Sequence, residues 1–391
     1  MQSIKDRVAI VGMGCCKFGE RWDAGTDDLL VESCYEAFED AGVESKDIQA
    51  AWLGTQNQMS GQVLARAIKT EYIPITRIEN FCATGTDAMM NACFAVAAGI
   101  YDLVLVAGVE KLKDSGVGFL TGGGGQPSAQ TGAPVPPPAQ FALAANRYFH
   151  QYGLSYEEGK RLLGMISVKN HHNGSLNPKA HFQREITLEQ AINAPMQAFP
   201  LGLYDCCGVS DGSAAAIITT PENAKSFRDD YILIKGFGLA VAGGQGQLRD
   251  YYDFTHFDET VNASRMAYES AGITDPREEV DLAIVHDCFS ITELIIYEDM
   301  GWSQRGKAKE DIESGFYTLE GGLPVNTDGG LKCFGHPIGA SGLRMIYEVY
   351  KQLQGKAGPR QIEKADIGVT HNLGGAPGSF TCAVSIWGRR D

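Results

Sequence analysis

The sequence predicts a duplicated α/β fold in which strands and helices alternate in two similar halves of the chain. The first observation is an internal repeat, since residues 37–43 (AFEDAGV) recur as residues 267–273 (AYESAGI). The second is their shared context, because an apolar segment ending in glycines precedes each copy and another apolar segment follows it. Nearly continuous apolar strands separated by helices are typical of parallel-rich sheets covered on both faces.

The individual elements follow the same order in both halves. In the first half we expect a strand at residues 8–14, a helix at 85–98 and a strand at 103–107. In the second half we expect strands at 232–238, 282–285 and 367–370 and a helix at 339–352. Each of these helices begins at a glycine-containing turn, which is typical of strand-to-helix junctions in an α/β layer.

The region between the halves has a different character. Glycines at 122–125 and the proline-rich residues 134–138 exclude a helix or a central strand, so either a surface loop or a lid over a ligand fits this segment. Two helices are expected after it, at 138–156 and 156–173. The predicted division is an N-terminal half beginning with residues 1–112, a loop insertion with the end of that half at 113–229, and a C-terminal half at 230–391.

The charge of the chain argues against a nucleic-acid or membrane partner. The 391 residues include 33 Lys and Arg against 48 Asp and Glu, a formal net charge of −15. Phosphate backbones and anionic membrane surfaces repel so acidic a protein. No apolar segment approaches the roughly 20 residues that a membrane span needs, and the N-terminus does not resemble a signal sequence. We therefore expect a cytoplasmic protein.

The cysteines indicate free thiols. Ten of them are too few for a disulfide framework in a chain of this length, and no pair has the CxxC spacing of a structural zinc site. A reducing compartment is therefore expected, and no metal site is predicted.

One cysteine and one histidine occupy corresponding turns of the two halves. Cys82, within NFCATGTD, precedes the first predicted helix, and a helix N-terminus favours a thiolate over a thiol. Taken alone, this cysteine is better explained as part of the core. The corresponding turn, GHPIGASG, carries His336. If the halves pack about a pseudo-twofold axis, both turns face one pocket, where the imidazole can act as base or counter-ion.

Two further polar clusters follow predicted strands. The first is HDCF at 286–289 and the second is HNLGG at 371–375. Taken singly, either cluster is explained by a strand edge or a turn, although the glycines of the second would let backbone N–H groups approach an oxyanion. Four such clusters at the carboxyl ends of strands in a duplicated chain point to one shared active site.

Motifs from both halves and from the insertion resemble those of thiolases of the sterol-carrier-protein-2-like type, including the thiolase subunit of bacterial benzoylsuccinyl-CoA thiolases. In family order they are NFCATG at 80–85, KNHHNGSLNP at 169–178, DCCGVSDG at 205–212, HDCF at 286–289 and GHP at 335–337. The resemblance covers essentially the whole chain. It implies the five-layered α-β-α-β-α thiolase fold, with two βαβαβαββ halves and an inserted loop domain that binds coenzyme A.

The resemblance also implies a role for each residue of the site. Cys82 would become acylated after His336 takes or shares its proton, and Cys288 would move the α-proton of a second acyl-CoA. His286 and His336 would stabilise the enolate, while the backbone N–H groups of Cys82 and Gly374 would hold the oxyanion. Better-known thiolases have Cys-x-Gly where this chain has Asn-Leu-Gly, and the acid/base role therefore falls to the HDCF cysteine.

Coenzyme A is implied as a co-substrate, and no permanently bound cofactor is expected. Cys207 and Gly208 are the implied CoA contacts, although many relatives carry a serine near the pantetheine where this chain has Cys207. The resemblance further implies a homodimer core. Several bacterial and archaeal relatives also bind a small zinc-containing OB-fold protein of the DUF35 type, which is the partner implied here.

The acyl group and two other activities stay open. A bulky aromatic or branched 3-oxoacyl-CoA such as 2-benzoylsuccinyl-CoA is favoured, with acetoacetyl-CoA as the alternative. The features behind this preference are the glycine-rich residues 122–125 and 243–246 and the aromatic residues Phe81, Phe289 and Phe334. A decarboxylating ketoacyl synthase shares the duplicated fold but would not need the HDCF cysteine. A non-catalytic acyl or lipid carrier would need none of the four catalytic side chains.

Overall fold

The computed structural model describes residues 3–115, 135–243 and 252–390. The strands are β1 (Ala9–Cys15), β2 (Ala50–Gly54), β3 (Ile75–Ile78), β4 (Leu103–Glu110), β5 (Met196–Ala198), β6 (Leu201–Gly202), β7 (Gly212–Thr219), β8 (Ile232–Val241), β9 (Leu282–Ile284), β10 (Ile367–Ala376) and β11 (Ser379–Arg389). The helices are α1 (Thr26–Ala41), α2 (Gln62–Ala67), α3 (Thr84–Ala97), α4 (Pro137–Gln151), α5 (Tyr156–Ser175), α6 (Leu188–Ile192), α7 (Pro221–Ala224), α8 (Asp258–Ala271), α9 (Pro276–Glu279), α10 (Ser290–Asp299), α11 (Ala308–Ser314), α12 (Gly330–Cys333) and α13 (Ile338–Leu353).

The main sheet displays the duplication directly. Its strand order is β3-β2-β4-β7-β1-β8-β11-β10-β9, so the two halves meet at β1 and β8, and the second half repeats the first in reverse except for the edge strand β3. Strands β2, β3 and β4 are parallel, as are β9 and β10, but β7 and β11 are antiparallel to their neighbours. The sheet is therefore mixed, because the short connection from β10 to β11 forms a hairpin and a hairpin can only join antiparallel strands.

Glycines near the strand ends bring the outer helices close to the sheet. A Cβ atom on Gly14 of β1 would overlap the carbonyl oxygen of Ser33 in α1. The equivalent Gly238 of β8 meets the carbonyl oxygen of Ala263 in α8 in the same way. The glycines that end the repeated strands therefore serve helix-on-sheet packing in both halves, since any side chain there would push the helix away.

The central layer consists of α3 and α13, which pack against each other and against strands of both halves. A Cβ atom on Gly85 would lie 2.9 Å from the carbonyl oxygen of Gly339, so the helix N-termini touch through backbone atoms. With α1 packed on strands of the first half and α8 on strands of the second, the two halves of the sheet enclose α3 and α13, so the layers run helix, half-sheet, helix, half-sheet, helix. The predicted five-layered duplicated fold is thereby confirmed, and its pseudo-twofold symmetry brings the N-termini of α3 and α13 together.

The insertion contains helices α4 to α6 and the short β5–β6 hairpin. Ser155 begins α5 with a capping box, because its hydroxyl accepts from the Glu158 amide and the Glu158 carboxylate accepts from the Ser155 amide. Two interpretations of the sequence depended on residues that lie outside the described part of the chain, namely 122–125, 134 and 244–246. Among the helices described, none is long and apolar enough to cross a membrane. The boundaries at 112 and 229 stay predictions.

Candidate active site

Cys82 lies in a tight turn between β3 and α3. Phe81 adopts a left-handed backbone conformation with φ of 51°, and its carbonyl oxygen accepts a 2.5 Å hydrogen bond from the Thr84 hydroxyl. The Phe81 amide donates to the Glu79 carboxylate at 2.9 Å. These contacts fix the turn on both sides, so that the partly buried Cys82 is presented at the start of the central helix layer.

His336 faces this thiol with the nitrogen that can accept a proton. Its Nε2 lies 3.3 Å from Cys82 Sγ, and its Nδ1 lies 2.7 Å from Ser341 Oγ. The Ser341 hydroxyl donates to the Pro337 carbonyl oxygen at 3.0 Å, so Ser341 Oγ accepts from Nδ1–H. The lone pair of the imidazole therefore resides on Nε2 and points at the thiol.

Burial sets the resting charge of this pair. Desolvation, together with the nearby charges of Glu110 and Glu79, raises the pKa of Cys82 to about 12. Desolvation and the Arg344 charge lower the pKa of His336 to about 3. The resting site is therefore a neutral thiol beside a neutral imidazole, and the expected preference for a thiolate at the helix N-terminus is outweighed by loss of solvation.

His286 completes a cluster of three nucleophilic or basic side chains. It follows β9, and its ring stands edge to face with that of His336 at a centroid distance of 5.1 Å. Ligand atoms of Cys82, His286 and His336 lie within 4.8 Å of one another. Burial and the neighbouring His336 lower the pKa of His286 well below its usual value, so this imidazole is also neutral.

Cys288 lies two residues after His286 and two residues before the start of α10. Its Sγ is 3.6 Å from the Thr292 hydroxyl, and burial raises its thiol pKa well above the ordinary value. Its carbonyl oxygen accepts a 2.9 Å hydrogen bond from the Cys207 amide, so the loop insertion reaches the HDCF segment. A Cβ atom on Gly208 would lie 2.9 Å from the Phe182 ring. Cys207 and Gly208 are thus beside the site, and their contact with CoA stays a prediction.

Gly374 brings the backbone of β10 against the nucleophile turn. A Cβ atom at this position would lie 2.6 Å from the Cys82 amide nitrogen and 2.5 Å from Phe81 Cβ. Only a residue without a side chain permits this approach. The structure therefore brings together the five residues predicted to act in catalysis or to hold the oxyanion, Cys82, His286, Cys288, His336 and Gly374.

Two buried carboxylates at the site were missed by sequence reasoning. Asp287, between the two HDCF site residues, accepts from the Leu331 amide at 2.5 Å and from Asn170 Nδ2 at 2.9 Å. Glu110, at the end of β4, accepts a 3.0 Å bond from the Gly339 amide in the first turn of α13. Both carboxylates tie separate chain segments to the catalytic turns. The Asp in HDCF was a visible signal, but its partners are distant in sequence.

The aromatic residues near the site differ in what they face. Phe289 packs on Phe141 at a centroid distance of 4.5 Å, and Phe334 packs on Phe18 at 4.9 Å. Both are buried, whereas Phe81 is 47% exposed. Of the three phenylalanines expected to form an aromatic wall, Phe81 alone therefore offers an open ring surface, and the other two belong to the core.

Comparison with known families gives one match for each half of the chain. Residues 8–222 match the thiolase N-terminal domain, and residues 241–387 match a thiolase C-terminal domain-like family.

Individual relatives cover nearly the full length. The acetyl-CoA acetyltransferase of Methanothermobacter thermautotrophicus is 40% identical, covering 98% of this chain and 99% of that protein. The benzoylsuccinyl-CoA thiolase subunit BbsB of Thauera aromatica is 30% identical, covering 95% and 96%. Among solved structures, an Ltp2-ChsH2(DUF35) aldolase aligns over 99% of both chains with a TM-score of 0.84 and 27% identity. These similarities confirm the resemblance to thiolases.

Proposed function

The chain belongs to the thiolase family, and we propose that it transfers acyl groups between coenzyme A thioesters through an acyl-Cys82 intermediate. The observation that carries this proposal is the 3.3 Å contact between Cys82 Sγ and the Nε2 of His336. A ketoacyl synthase or a non-catalytic carrier, the distant alternatives, would not account for a second buried thiol at Cys288.

In the first half-reaction the Cys82 sulfur attacks the thioester carbonyl carbon. The thiol proton passes to His336 Nε2, and the oxyanion is held by the backbone N–H groups of Cys82 and Gly374. Ser341 accepts from the Nδ1–H of the imidazolium that forms, which stabilises the charge as it develops. The intermediate then collapses with cleavage of the C–S bond, and the CoA thiolate leaves with the proton of Cys288, while His336 keeps the proton from Cys82.

In the second half-reaction Cys288 moves a proton at the α-carbon. During condensation the Cys288 thiolate left by the first half-reaction is a strong base that takes the α-proton, and Cys82 regains its proton from His336 when its bond to the acyl group breaks. During cleavage of a 3-oxoacyl-CoA these steps run in reverse, and the Cys288 thiol of raised pKa donates its proton to the enolate carbon. The neutral His286 donates its ring N–H to the thioester oxygen of the enolate. A neutral donor suits this step, because a full imidazolium would lower the basicity that the enolate needs to attack.

For the acyl group, acetyl transfer to and from acetoacetyl-CoA has the stronger support. The relative at 40% identity is named acetyl-CoA acetyltransferase. Two of the three phenylalanines that favoured a bulky acyl group are buried against core rings. A bulky aromatic or branched 3-oxoacyl-CoA remains the second candidate, supported by the 30% identity to BbsB and by the exposed Phe81 ring beside the nucleophile.

Coenzyme A is the proposed co-substrate, and Cys207 and Gly208 are its proposed contacts in the insertion. We also propose a homodimer core and a DUF35-type partner, the latter supported by the DUF35 component in the name of the structurally similar aldolase. The ten cysteines are all unpaired in the described part of the chain, which supports a reducing compartment such as the cytoplasm.

A single-turnover experiment tests the proposal. The enzyme is mixed with acetyl-CoA without a second substrate, quenched and digested, and the acetylated peptide is identified by mass spectrometry. Acetyl on Cys82 is expected in the wild type and in Cys288→Ser, while Cys82→Ser stays unlabelled. Acetyl on another residue with Cys82 free would refute the mechanism.

A competition between two substrates decides the acyl group. The value of kcat/KM is compared for acetoacetyl-CoA and for an aryl-substituted 3-oxoacyl-CoA. We expect acetoacetyl-CoA to be preferred by at least about tenfold, which corresponds to roughly 1.4 kcal/mol of transition-state stabilisation. A kcat/KM for the aryl substrate that equals or exceeds the value for acetoacetyl-CoA would favour the second candidate.

A further inference from the structure

We infer that Cys82, His286 and His336 bind one Zn²⁺ ion and that this metal switches the enzyme off reversibly. The three side chains present one soft sulfur ligand and two imidazole nitrogens, all within 4.8 Å of one another. This donor set is one that zinc prefers over calcium or magnesium. The metal site itself follows from the cluster geometry, and only its inhibitory effect rests on the proposed role of Cys82.

The spacing of the ligand atoms is close to that of a tetrahedral zinc site. Zn–S bonds of about 2.3 Å and Zn–N bonds of about 2.0–2.1 Å place neighbouring ligand atoms roughly 3.4–3.6 Å apart. Cys82 Sγ and His336 Nε2 already stand 3.3 Å apart. The other two pairs of ligand atoms are at most 4.8 Å apart, so each distance needs to shorten by at most about 1.4 Å. A modest rotation of the His286 ring can supply this change.

The histidine nitrogens are available to a metal. His336 directs its Nε2 lone pair toward Cys82, because Nδ1–H is held by Ser341. Ser341 then serves as the outer hydrogen-bond partner that orients a metal-bound imidazole. His286 is 2% exposed, and its Nδ1 finds no hydrogen-bond partner among the described residues. A buried ring with a free nitrogen has little to lose by turning toward a cation.

Metal binding and acyl transfer exclude each other chemically. The Cys82 S–H bond breaks, a thiolate–zinc bond forms and the proton is released to solvent, while both imidazoles bind in their neutral form. Three protein ligands leave the fourth tetrahedral position to water. The sulfur lone pair that would attack a thioester is then shared with zinc, so acyl-CoA and Zn²⁺ compete. The same bond protects the thiol from alkylation.

The surface offers a matched control for adventitious binding. His256 lies 2.8 Å from an Asp253 oxygen and 3.1 Å from an Asp258 oxygen, and it is more exposed than His286 and His336. This His and carboxylate group lacks a sulfur ligand. His256→Asn therefore tests surface binding, and His286→Asn makes the same chemical change inside the proposed site.

The test combines metal binding with protection of the thiol. Metal-free enzyme is titrated with ZnCl₂ by calorimetry in buffers of different ionisation enthalpy, and alkylation of Cys82 by iodoacetamide is followed by peptide mass. We expect one site, release of about one proton per ion, and at least about tenfold slower alkylation of Cys82 when Zn²⁺ is bound. Cys82→Ser and His286→Asn should each weaken binding about 100-fold, and His256→Asn should not.

The outcomes separate this inference from the proposed function. The zinc site would be overturned if His286→Asn left the affinity for Zn²⁺ unchanged. It would also be overturned if Zn²⁺ binding were lost in His256→Asn and kept in Cys82→Ser. Thiol protection in the wild type supports the site even where a variant fails to fold. If zinc binds as expected but acetyl-CoA never labels Cys82, the metal site stands and the acyl-enzyme mechanism fails.

Discussion

Replacing Ser341 with alanine removes the group that accepts the Nδ1–H of His336. The hydroxyl is the acceptor that leaves the Nε2 lone pair facing Cys82. Without it, either the ring keeps its tautomer with a buried unpaired N–H, or the proton moves to Nε2 and the base is lost. Both outcomes raise the barrier for acylation.

The size of the effect follows from burial. Ser341 is fully buried and His336 is 1% exposed, so solvent has little access to replace the lost acceptor. A hydrogen bond to a charged group is worth about 1.5–3 kcal/mol, and His336 becomes charged only during the attack. The rate of Cys82 acylation should therefore fall about 10- to 150-fold. The KM for acyl-CoA should stay within about twofold, since this loss appears only as charge develops.

Rapid quench with acetyl-CoA followed by mass spectrometry measures the acylation rate. Ser385→Ala is the matched control, because Ser385 is another buried hydroxyl, bonded to Thr370 and Trp387 and not to the catalytic residues. That variant is expected to lose stability and keep its acylation rate. An acylation rate in a folded Ser341→Ala enzyme within twofold of the wild type would show that the tautomer argument is wrong.

Three further predictions concern the site and the fold. Asp287→Asn should slow two reactions unequally, because the carboxylate holds the HDCF segment. Deuterium exchange at the α-carbon of acetyl-CoA should slow at least about tenfold more than acylation of Cys82 does. Equal losses in the two rates would contradict this role. Acylation should be independent of pH from about 5 to 9, because the pKa values of Cys82 and His336 lie near 12 and 3, and a bell-shaped profile centred in this range would show an ion pair instead. Gly14→Ala should lower the free energy of unfolding, measured in urea, by about 1–3 kcal/mol, because the added methyl group overpacks against α1. Gly19→Ala is the control and should change stability little, since the nearest atom to an added Cβ there is 3.7 Å away.

Much of the fold was predictable because its signals are local. The repeat at 37–43 and 267–273 covers the C-terminal ends of α1 and α8 and the two residues after each helix, and the expected helices at 85–98 and 339–352 are α3 and α13. Apolar runs and glycine-rich turns act within a few residues, and the sequence displays them directly. The mixed character of the sheet was not predicted, since the direction of β7 and β11 depends on how each strand pairs after the chain has folded back.

The site was predictable in its members and not in its chemical state. Cys82 and His336 were paired through the internal symmetry, although 254 positions separate them. Ser341 belongs to the GHPIGASG motif, yet its role appears only when its hydroxyl is seen between Nδ1 of His336 and the Pro337 carbonyl oxygen. Glu110 was missed because its partners lie in two other segments of the chain.

The sequence by itself determined the duplicated architecture, the residues that carry chemistry and the family to which they belong. Only the tertiary structure decided which protonation states these residues adopt and which way the phenylalanines face. The reason is that desolvation and packing are sums over every atom around a group, and the groups around Cys82 include Glu110, His336 and Gly374 from distant parts of the chain. A helix N-terminus alone favours a thiolate at Cys82, but the assembled surroundings raise its pKa to about 12.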